Sequence, residues 1–181
     1  MFNIGMYSEN IHQTNIHNSW TEYNHFTSLS LYNQIRHQSL IGRLVGWITH
    51  REHLEDLNEL LASRKVSASY DAGLQTVAIA QIVGSEGRVH DFDSKFHPRK
   101  DNTSERWVGI AMAHLEGSSL PPVELIRIDD RYYVRDGHHR ISVARAMGQT
   151  EIDAQVHVVE LASERPSRNW EQAIGTACLA G

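Results

Sequence analysis

The sequence predicts an α+β fold, in which a small mixed β-sheet packs against helices and an N-terminal helical extension precedes this core. In several segments after residue 74, apolar side chains alternate with a period of two, as expected for half-buried strands. Between these segments lie stretches with helical spacing, which begin at capping residues and end at glycine. The two patterns together favour one compact core with additions at its ends.

The composition is that of an ordinary globular protein and excludes several functional classes. The 181 residues include 40% hydrophobic and 22% charged side chains, and the net charge is −5 with histidine neutral. Net charge therefore does not support DNA binding over the whole surface. The single cysteine, Cys178, excludes a disulfide framework within the chain and a cysteine-based zinc site. Apolar runs are too short to span a bilayer and residues 1–20 lack a signal-peptide pattern, so we expect a cytoplasmic protein with no membrane partner.

The first 73 residues divide into a polar arm and a helical extension. The arm is rich in asparagine and shows no sustained period, which predicts a weakly structured segment. From Ser28 onward apolar residues recur at helical spacing, and Thr49 and Glu52 form a capping box before a second helix. The predicted units are the arm 1–27 and the extension 28–73, with a helix over about 50–63 and a polar connector over 63–73.

The predicted core, residues 74–160, contains strands, helices and one hairpin. Gly117 ends the first core helix, and the Asp129-Asp130 pair turns the hairpin. The predicted elements are a strand over 74–83, a turn at 84–88, a helix from Asn102 or Thr103 to Leu115, hairpin arms over 123–128 and 131–135, a helix over 138–147 and a strand over 151–159. A mixed tail, 161–181, includes a possible short helix around 170–177.

The most informative motif is Asp136-Gly137-His138-His139-Arg140, which lies where the second hairpin arm gives way to a helix. Backbone N–H groups at a helix start point outward without intrahelical partners, and the macrodipole favours an anion there. Arg140 adds a fork-shaped cation, and the two histidines add donors that capping alone does not require. The motif therefore favours a phosphate site over a plain capped turn. Asp136 either orients an imidazole, holds Mg²⁺ through water, or complements the helix start.

The segment from Leu120 to Gly148, with its hairpin, Gly-x-x-Arg turn and Ala-rich helix, resembles the ParB N-terminal and sulfiredoxin-like superfamily, also called ParB-like nuclease domains. The resemblance extends over about half the chain. It implies a nucleotide site, because ParB-type domains hold the phosphates of CTP on this turn and sulfiredoxin uses ATP as phosphate donor. Gly137 and Arg140 match both turns, and His139 matches the sulfiredoxin histidine.

Two departures limit what the resemblance implies. His138 stands where sulfiredoxin has its redox cysteine and ParB a glutamate, so sulfinic-acid repair is excluded. The helix-turn-helix part with which ParB reads DNA would follow the core, where only the tail 161–181 remains, so we do not expect partition-type DNA reading. The helices before residue 64 match no part of ParB.

A second glycine-bracketed turn, at 84–88, carries Ser85 and Arg88. If it lies against the first turn, these residues would supply donors to a nucleotide. Otherwise it is a plain turn that ends a strand. The first turn of the next helix contains Arg106, a position where the dipole disfavours a cation and an anionic neighbour would explain one.

The segment between these two features contains Asp91 and Asp93, followed by His97. On an extended chain the two carboxylates share a face, which suits a divalent ion carried in with phosphates. The alternative is a solvated loop anchored by Phe92 and Phe96. The sequence favours this alternative, since no further ligand at a fixed spacing completes a metal set.

The prediction from the sequence is a nucleotide-binding protein, acting as a Mg²⁺-dependent NTPase or as a nucleotide switch. One alternative is a metal-dependent nuclease or small-molecule phosphotransferase, and another is a non-catalytic adaptor or DNA-associated protein. We expect Mg²⁺ with ATP or CTP as the ligand, and a homo-oligomer formed through the N-terminal helices remains open. The predicted site residues are His138 and His139 for catalysis, Gly137, His138, His139, Arg140, Ser85 and Arg88 for phosphate, and Asp136, Asp91 and Asp93 for the metal.

Overall fold

The computed structural model describes residues 19–38, 53–99 and 103–162 of the chain. Over these ranges the protein has the predicted α+β architecture, with one mixed six-stranded sheet and four helices. No helix within them is both long and apolar enough to cross a membrane.

The sheet is built from both parallel and antiparallel pairs. Its strand order is β1-β3-β5-β4-β6-β2, in which β4-β5 and β6-β2 are antiparallel and the other neighbours are parallel. In chain order the elements are α1 (19–38), β1 (Glu55–Asp56), α2 (Leu57–Ser63), β2 (Val66–Ala78), β3 (Ile82–Ser85), α3 (Ser104–Leu115), β4 (Val123–Ile128), β5 (Arg131–Asp136), α4 (His138–Ala146) and β6 (Glu151–Leu161).

The hairpin β4-β5 and the helix α4 are confirmed close to their predicted bounds, as are α3 and β6. Asp129 turns the hairpin at a φ of 53°, a left-handed conformation that aspartate tolerates. The hairpin occupies the middle of the sheet, so alternate side chains are buried on opposite faces. Leu125 packs in one core cluster and its neighbour Ile126 in another.

Helices α1, α3 and α4 share a third cluster, which joins the N-terminal helix to the core. Tyr32 and Ile35 of α1 are buried with Trp107 of α3 and Val143 of α4. Trp107 also donates its indole N–H to Ser142 Oγ at 2.9 Å, which satisfies a polar group in this buried contact. Helix α3 is thereby fixed beside α4, the helix that follows the motif.

The prediction is wrong for the region around β2. The polar stretch 63–73, expected to be a connector, contains most of this strand, and the strand predicted over 74–83 is broken by a 3₁₀ turn at Ile79–Gln81. Among the described residues β2 pairs with β6 alone, and its first six side chains are exposed. Val66, Ala68 and Tyr70 alternate with polar residues, so the period of a strand is present in the sequence. The stretch was assigned as a connector because of its polar composition, which an exposed edge strand allows.

The start of α2 also differs from the prediction of a helix over about 50–63. The helix begins at Leu57, where Asp56 caps it by accepting the N–H of Asn58 at 2.8 Å. Leu54, counted in the helical spacing, lies before the helix and is buried in the core. The capping box at 49–52 lies outside the described residues.

Helix α1 begins at residue 19, so residues 19–27 are helical rather than part of a weakly structured arm. Trp20, Tyr23 and Phe26 recur there every three residues, a helical spacing that the sequence analysis did not use, and their side chains are exposed. The short helix predicted around 170–177 lies outside the described residues. Oligomerisation through the N-terminal helices stays a prediction.

Candidate functional site

The turn between β5 and α4 has a backbone that requires glycine. Gly137 is the N-cap of α4, with a φ of 98° in the left-handed region. A Cβ at this position would lie 2.5 Å from Val123 Cγ1, so the neighbouring strand also excludes a side chain. The first helical hydrogen bond runs from Ile141 N–H to Gly137 O at 3.0 Å. The N–H groups of residues 138–140 therefore precede the intrahelical ladder and are oriented toward the helix start.

The turn at 84–88 lies against this helix start, as the nucleotide interpretation required. Strands β3 and β5 are parallel neighbours in which Ser85 pairs with Val134. Ser85 Oγ lies 2.7 Å from His138 Nε2 and accepts the N–H groups of Gly87 and Arg88 at 3.2 and 3.0 Å. Through these hydrogen bonds Ser85 holds the two turns together, and its side chain is fully buried and does not face solvent.

Arg140 has its guanidinium engaged by the protein itself. It donates to the carbonyl oxygens of Pro121 and Pro122 at 2.5 and 2.7 Å, and to Asp136 at 2.6 Å. Only 13% of its side chain is exposed. These contacts tie the start of α4 to the segment before β4, and the Asp136 carboxylate compensates the charge. Arg140 thus shapes the site, and the ion pair gives Asp136 a structural partner.

Two other guanidinium groups face the same cleft. Arg88, from the turn after β3, and Arg106, from the first turn of α3, line it together with residues 136–140. Both side chains are exposed, and neither guanidinium has a hydrogen-bond or ion-pair partner within residues 19–38, 53–99 and 103–162. Arg106 was absent from the predicted site residues. Its unfavourable position at a helix start was the signal that could have included it.

His138 and His139 are buried and neutral at pH 7. Burial lowers the pKa of each from 6.5 to about 4. Arg88 adds to the shift at His138, and Arg106 followed by Arg88 adds to it at His139. In the protein without ligand the positive charge of the site therefore comes from the arginines.

His139 carries an unsatisfied polar atom inside the site. Its Nδ1 is buried and has no hydrogen-bond partner among the described residues. Only 5% of the residue is exposed. Phe92 covers both imidazoles, stacking on His138 at 5.6 Å and meeting His139 edge-on at 5.2 Å. A buried polar atom without a partner is rare in folded proteins, so the described chain alone does not satisfy His139.

The carboxylates expected to hold a metal do not come together as a set. Asp93 accepts the N–H groups of Lys95 and His97 and the imidazole of His97 at 2.8 to 2.9 Å. Burial raises its pKa, but the hydrogen bonds from His97 and Lys95 outweigh burial and lower the pKa overall. Asp91 acts electrostatically on both site histidines. In the described part of the chain no three His, Cys, Asp or Glu residues are grouped as a metal site.

No protein-family model matches the chain, and no curated protein matches it. A solved structure of sulfiredoxin from Arabidopsis thaliana is similar to it, with a TM-score of 0.35 and 16% sequence identity. The match covers 48% of this chain and 86% of the sulfiredoxin chain. It is a distant likeness in fold to a sulfiredoxin-like protein and indicates no ligand.

Proposed function

We propose that the protein binds the phosphate groups of a nucleoside triphosphate in the cleft between the 84–88 turn and the start of α4. One observation carries this proposal: Arg88 and Arg106, from two separate elements, face one helix N-terminus with no anion from the described chain to compensate them. Unpaired guanidinium groups and free helical N–H groups are the recognition elements that phosphate takes. The unsatisfied Nδ1 of His139 adds a polar atom to the same site.

The size of the cleft limits which part of the ligand it takes. Its volume is about 20 Å³, and a single water needs roughly 10–15 Å³. The cleft therefore admits about one or two oxygens of a terminal phosphate, while the rest of the ligand lies outside. A terminal phosphate between Arg88 and Arg106 satisfies both requirements.

The residues fit Mg²⁺ only as an ion carried in by the phosphates. Asp93 and Asp136 are engaged within the protein, and the charge of Asp91 reaches both histidines. Phosphate-bound Mg²⁺ typically needs only one or two protein carboxylates and keeps several waters. Such an ion would compensate the phosphates next to Asp91.

Hydrolysis of the nucleotide is the second step of the proposal. At pH 7 a histidine with a pKa of about 4 is neutral and a weak base. A bound polyphosphate raises the pKa of nearby imidazoles by Coulomb attraction, and this makes His138 or His139 a better proton acceptor in the complex. Turnover then depends on the ligand that is bound, as in a nucleotide-switched protein.

Isothermal titration calorimetry with ATP and CTP, each with and without Mg²⁺, tests the binding step. Hydrogen bonds to charged groups contribute about 1.5–3 kcal/mol each, so Arg88→Gln and Arg106→Gln should each weaken binding by roughly 10- to 100-fold. Arg64→Gln is the matched control, an exposed arginine next to α2 that does not line the cleft. Phosphate release in the same samples, compared with Asp91→Asn, tests hydrolysis.

The binding proposal is wrong if neither nucleotide binds the wild-type protein at millimolar concentration. It is also wrong if Arg64→Gln lowers affinity as much as the two cleft variants do. Arg140 is unsuitable for this test, because its substitution removes contacts to Pro121, Pro122 and Asp136 and so alters the turn itself.

A further inference from the structure

A second cavity lies on the other side of Arg140 and runs along α4. Its volume is about 230 Å³. One wall is apolar and is formed by Leu120 and Pro122 from the segment before β4, Val143 from α4, and Ile152 from β6. We call this cavity the α4 groove.

Polar side chains complete the lining of the α4 groove. They supply hydroxyl, amide, imidazole and carboxylate groups and are Thr76, His114, Ser118, Gln149, Glu151 and Asp153. Thr76 Oγ1 donates to one oxygen of Asp153 at 2.9 Å. An apolar wall with a few hydrogen-bonding groups is the usual lining of a site for a small organic molecule. The mixture suits a ring system that carries polar substituents better than it suits an alkyl chain.

Arg140 connects the α4 groove to the phosphate cleft, since its side chain lines both. The two cavities lie at successive positions on one helix: residues 137–140 border the cleft, and Arg140, Val143 and Ala144 border the groove. The guanidinium between them is fixed by its three acceptors. A ligand anchored by phosphate at the start of α4 can therefore extend past Arg140 along the same helix.

The volumes of the two cavities are complementary. Sites that enclose a whole small molecule have volumes of about 300–1,000 Å³, so the α4 groove, at about 230 Å³, suits part of a ligand. The cleft takes only about one or two oxygens of a phosphate group. Neither cavity alone holds a phosphate ester, whereas the two together provide a place for each of its halves.

We propose that the α4 groove holds the organic half, a nucleoside, of the phosphate ester whose terminal phosphate occupies the cleft. This inference rests on the proposed function and extends it, because contacts between the nucleoside and the α4 groove would then contribute to the affinity. Arg140 then acts as a fixed partition that sets the distance between the two halves.

A substitution at the rim of the α4 groove distinguishes binding in the groove from binding in the phosphate cleft. Ser118 is exposed and lines the groove, while its neighbour Ser119 is exposed and does not. Ser118→Trp should fill the groove, and Ser119→Trp is the matched control of equal size. The probes are inorganic tripolyphosphate, ATP and CTP, titrated into each protein with Mg²⁺ by calorimetry.

The wild-type protein should bind ATP or CTP at least about tenfold more tightly than tripolyphosphate. Ser118→Trp should abolish this difference while leaving tripolyphosphate affinity unchanged, and Ser119→Trp should change neither. Equal affinity of wild type for nucleotide and tripolyphosphate, or a nucleotide affinity unaffected by Ser118→Trp, overturns the groove inference and leaves the phosphate site standing. Binding of none of the three probes overturns both.

Discussion

Acidification from pH 7.5 to 5.0 should destabilise the folded protein through two buried histidines. His138 and His139 have a pKa of about 4 in the folded protein and an ordinary value of 6.5. Between these values the unfolded chain binds a proton at each site and the folded chain does not. Stability that is present above pH 6.5 is therefore lost as the pH falls toward 4.

The expected loss follows from the size of the pKa shift. A shift from 6.5 to about 4, at about 1.4 kcal/mol per pKa unit, gives about 3 kcal/mol per histidine once the pH is below 4. At pH 5.0 about 2 kcal/mol of this is lost per histidine, or about 4 kcal/mol for the pair. Because domains of this kind are stable by only about 5–15 kcal/mol, this is a large fraction of the total. Asp93, whose pKa is lowered below 3.8, contributes its loss only at more acidic pH.

Urea unfolding at pH 7.5 and 5.0 measures this effect as a difference in free energy of unfolding. His138→Gln and His139→Gln should each remove about half of the pH dependence, whereas His25→Gln, on an exposed face of α1, should keep all of it. Histidine proton resonances should show the two low pKa values directly, and both should rise when tripolyphosphate is added. The reasoning would be refuted if the free energy of unfolding of the wild type fell by less than about 1 kcal/mol between pH 7.5 and 5.0. Full pH dependence in both His138→Gln and His139→Gln would also refute it.

Two substitutions test how the turns are built. Gly137→Ala should lower the free energy of unfolding by more than about 2 kcal/mol, because a positive φ costs about 1–2 kcal/mol and the added Cβ meets Val123. Gly148→Ala, at a φ of 77° in open space, should show only the cost of the positive φ. Equal losses in the two variants would contradict the close-packing argument. Ser85→Ala leaves His138 Nε2 without its 2.7 Å partner and should cost about 1–3 kcal/mol in urea unfolding, so an unchanged midpoint would mean that this bond contributes nothing.

The parts of the fold that the sequence predicts are those whose signals are local. The hairpin β4-β5 carries strand alternation on both sides of an aspartate turn, and α4 follows a glycine that the backbone requires at φ 98°. Strand β2 depends instead on pairing with β6, which is distant in the chain, and its polar composition hid the alternation that residues 66–71 do show. Helix α1 is missed in its first half because polar residues separate Trp20, Tyr23 and Phe26, whose spacing of three is a short helical signal.

The site shows a similar division between local and distant information. The motif at 136–140 can be recognised in the sequence alone. Contact between this motif and the 84–88 turn was stated as a condition, and the parallel pairing of β3 and β5 fulfils it. The sequence does not show which charged side chains of the site form ion pairs with each other. Asp136 and Arg140 are four positions apart, a spacing that permits an ion pair, but the sequence analysis assigned them to other roles. The carbonyl acceptors of Arg140 come from Pro121 and Pro122, which are distant in the chain.

The balance of charge in the cleft bears on which anion fits it. Arg140 is compensated by Asp136, and both histidines are neutral at pH 7, so the compensating charge of a ligand has to match Arg88 and Arg106. A singly charged carboxylate would leave one of these guanidinium groups without a partner. The terminal phosphate of a nucleotide carries about two negative charges and presents three oxygens, enough for two arginines and the N–H groups of the helix start. Under the proposed function, a terminal phosphate therefore has only Arg88 and Arg106 to neutralise, because Asp136 already compensates Arg140.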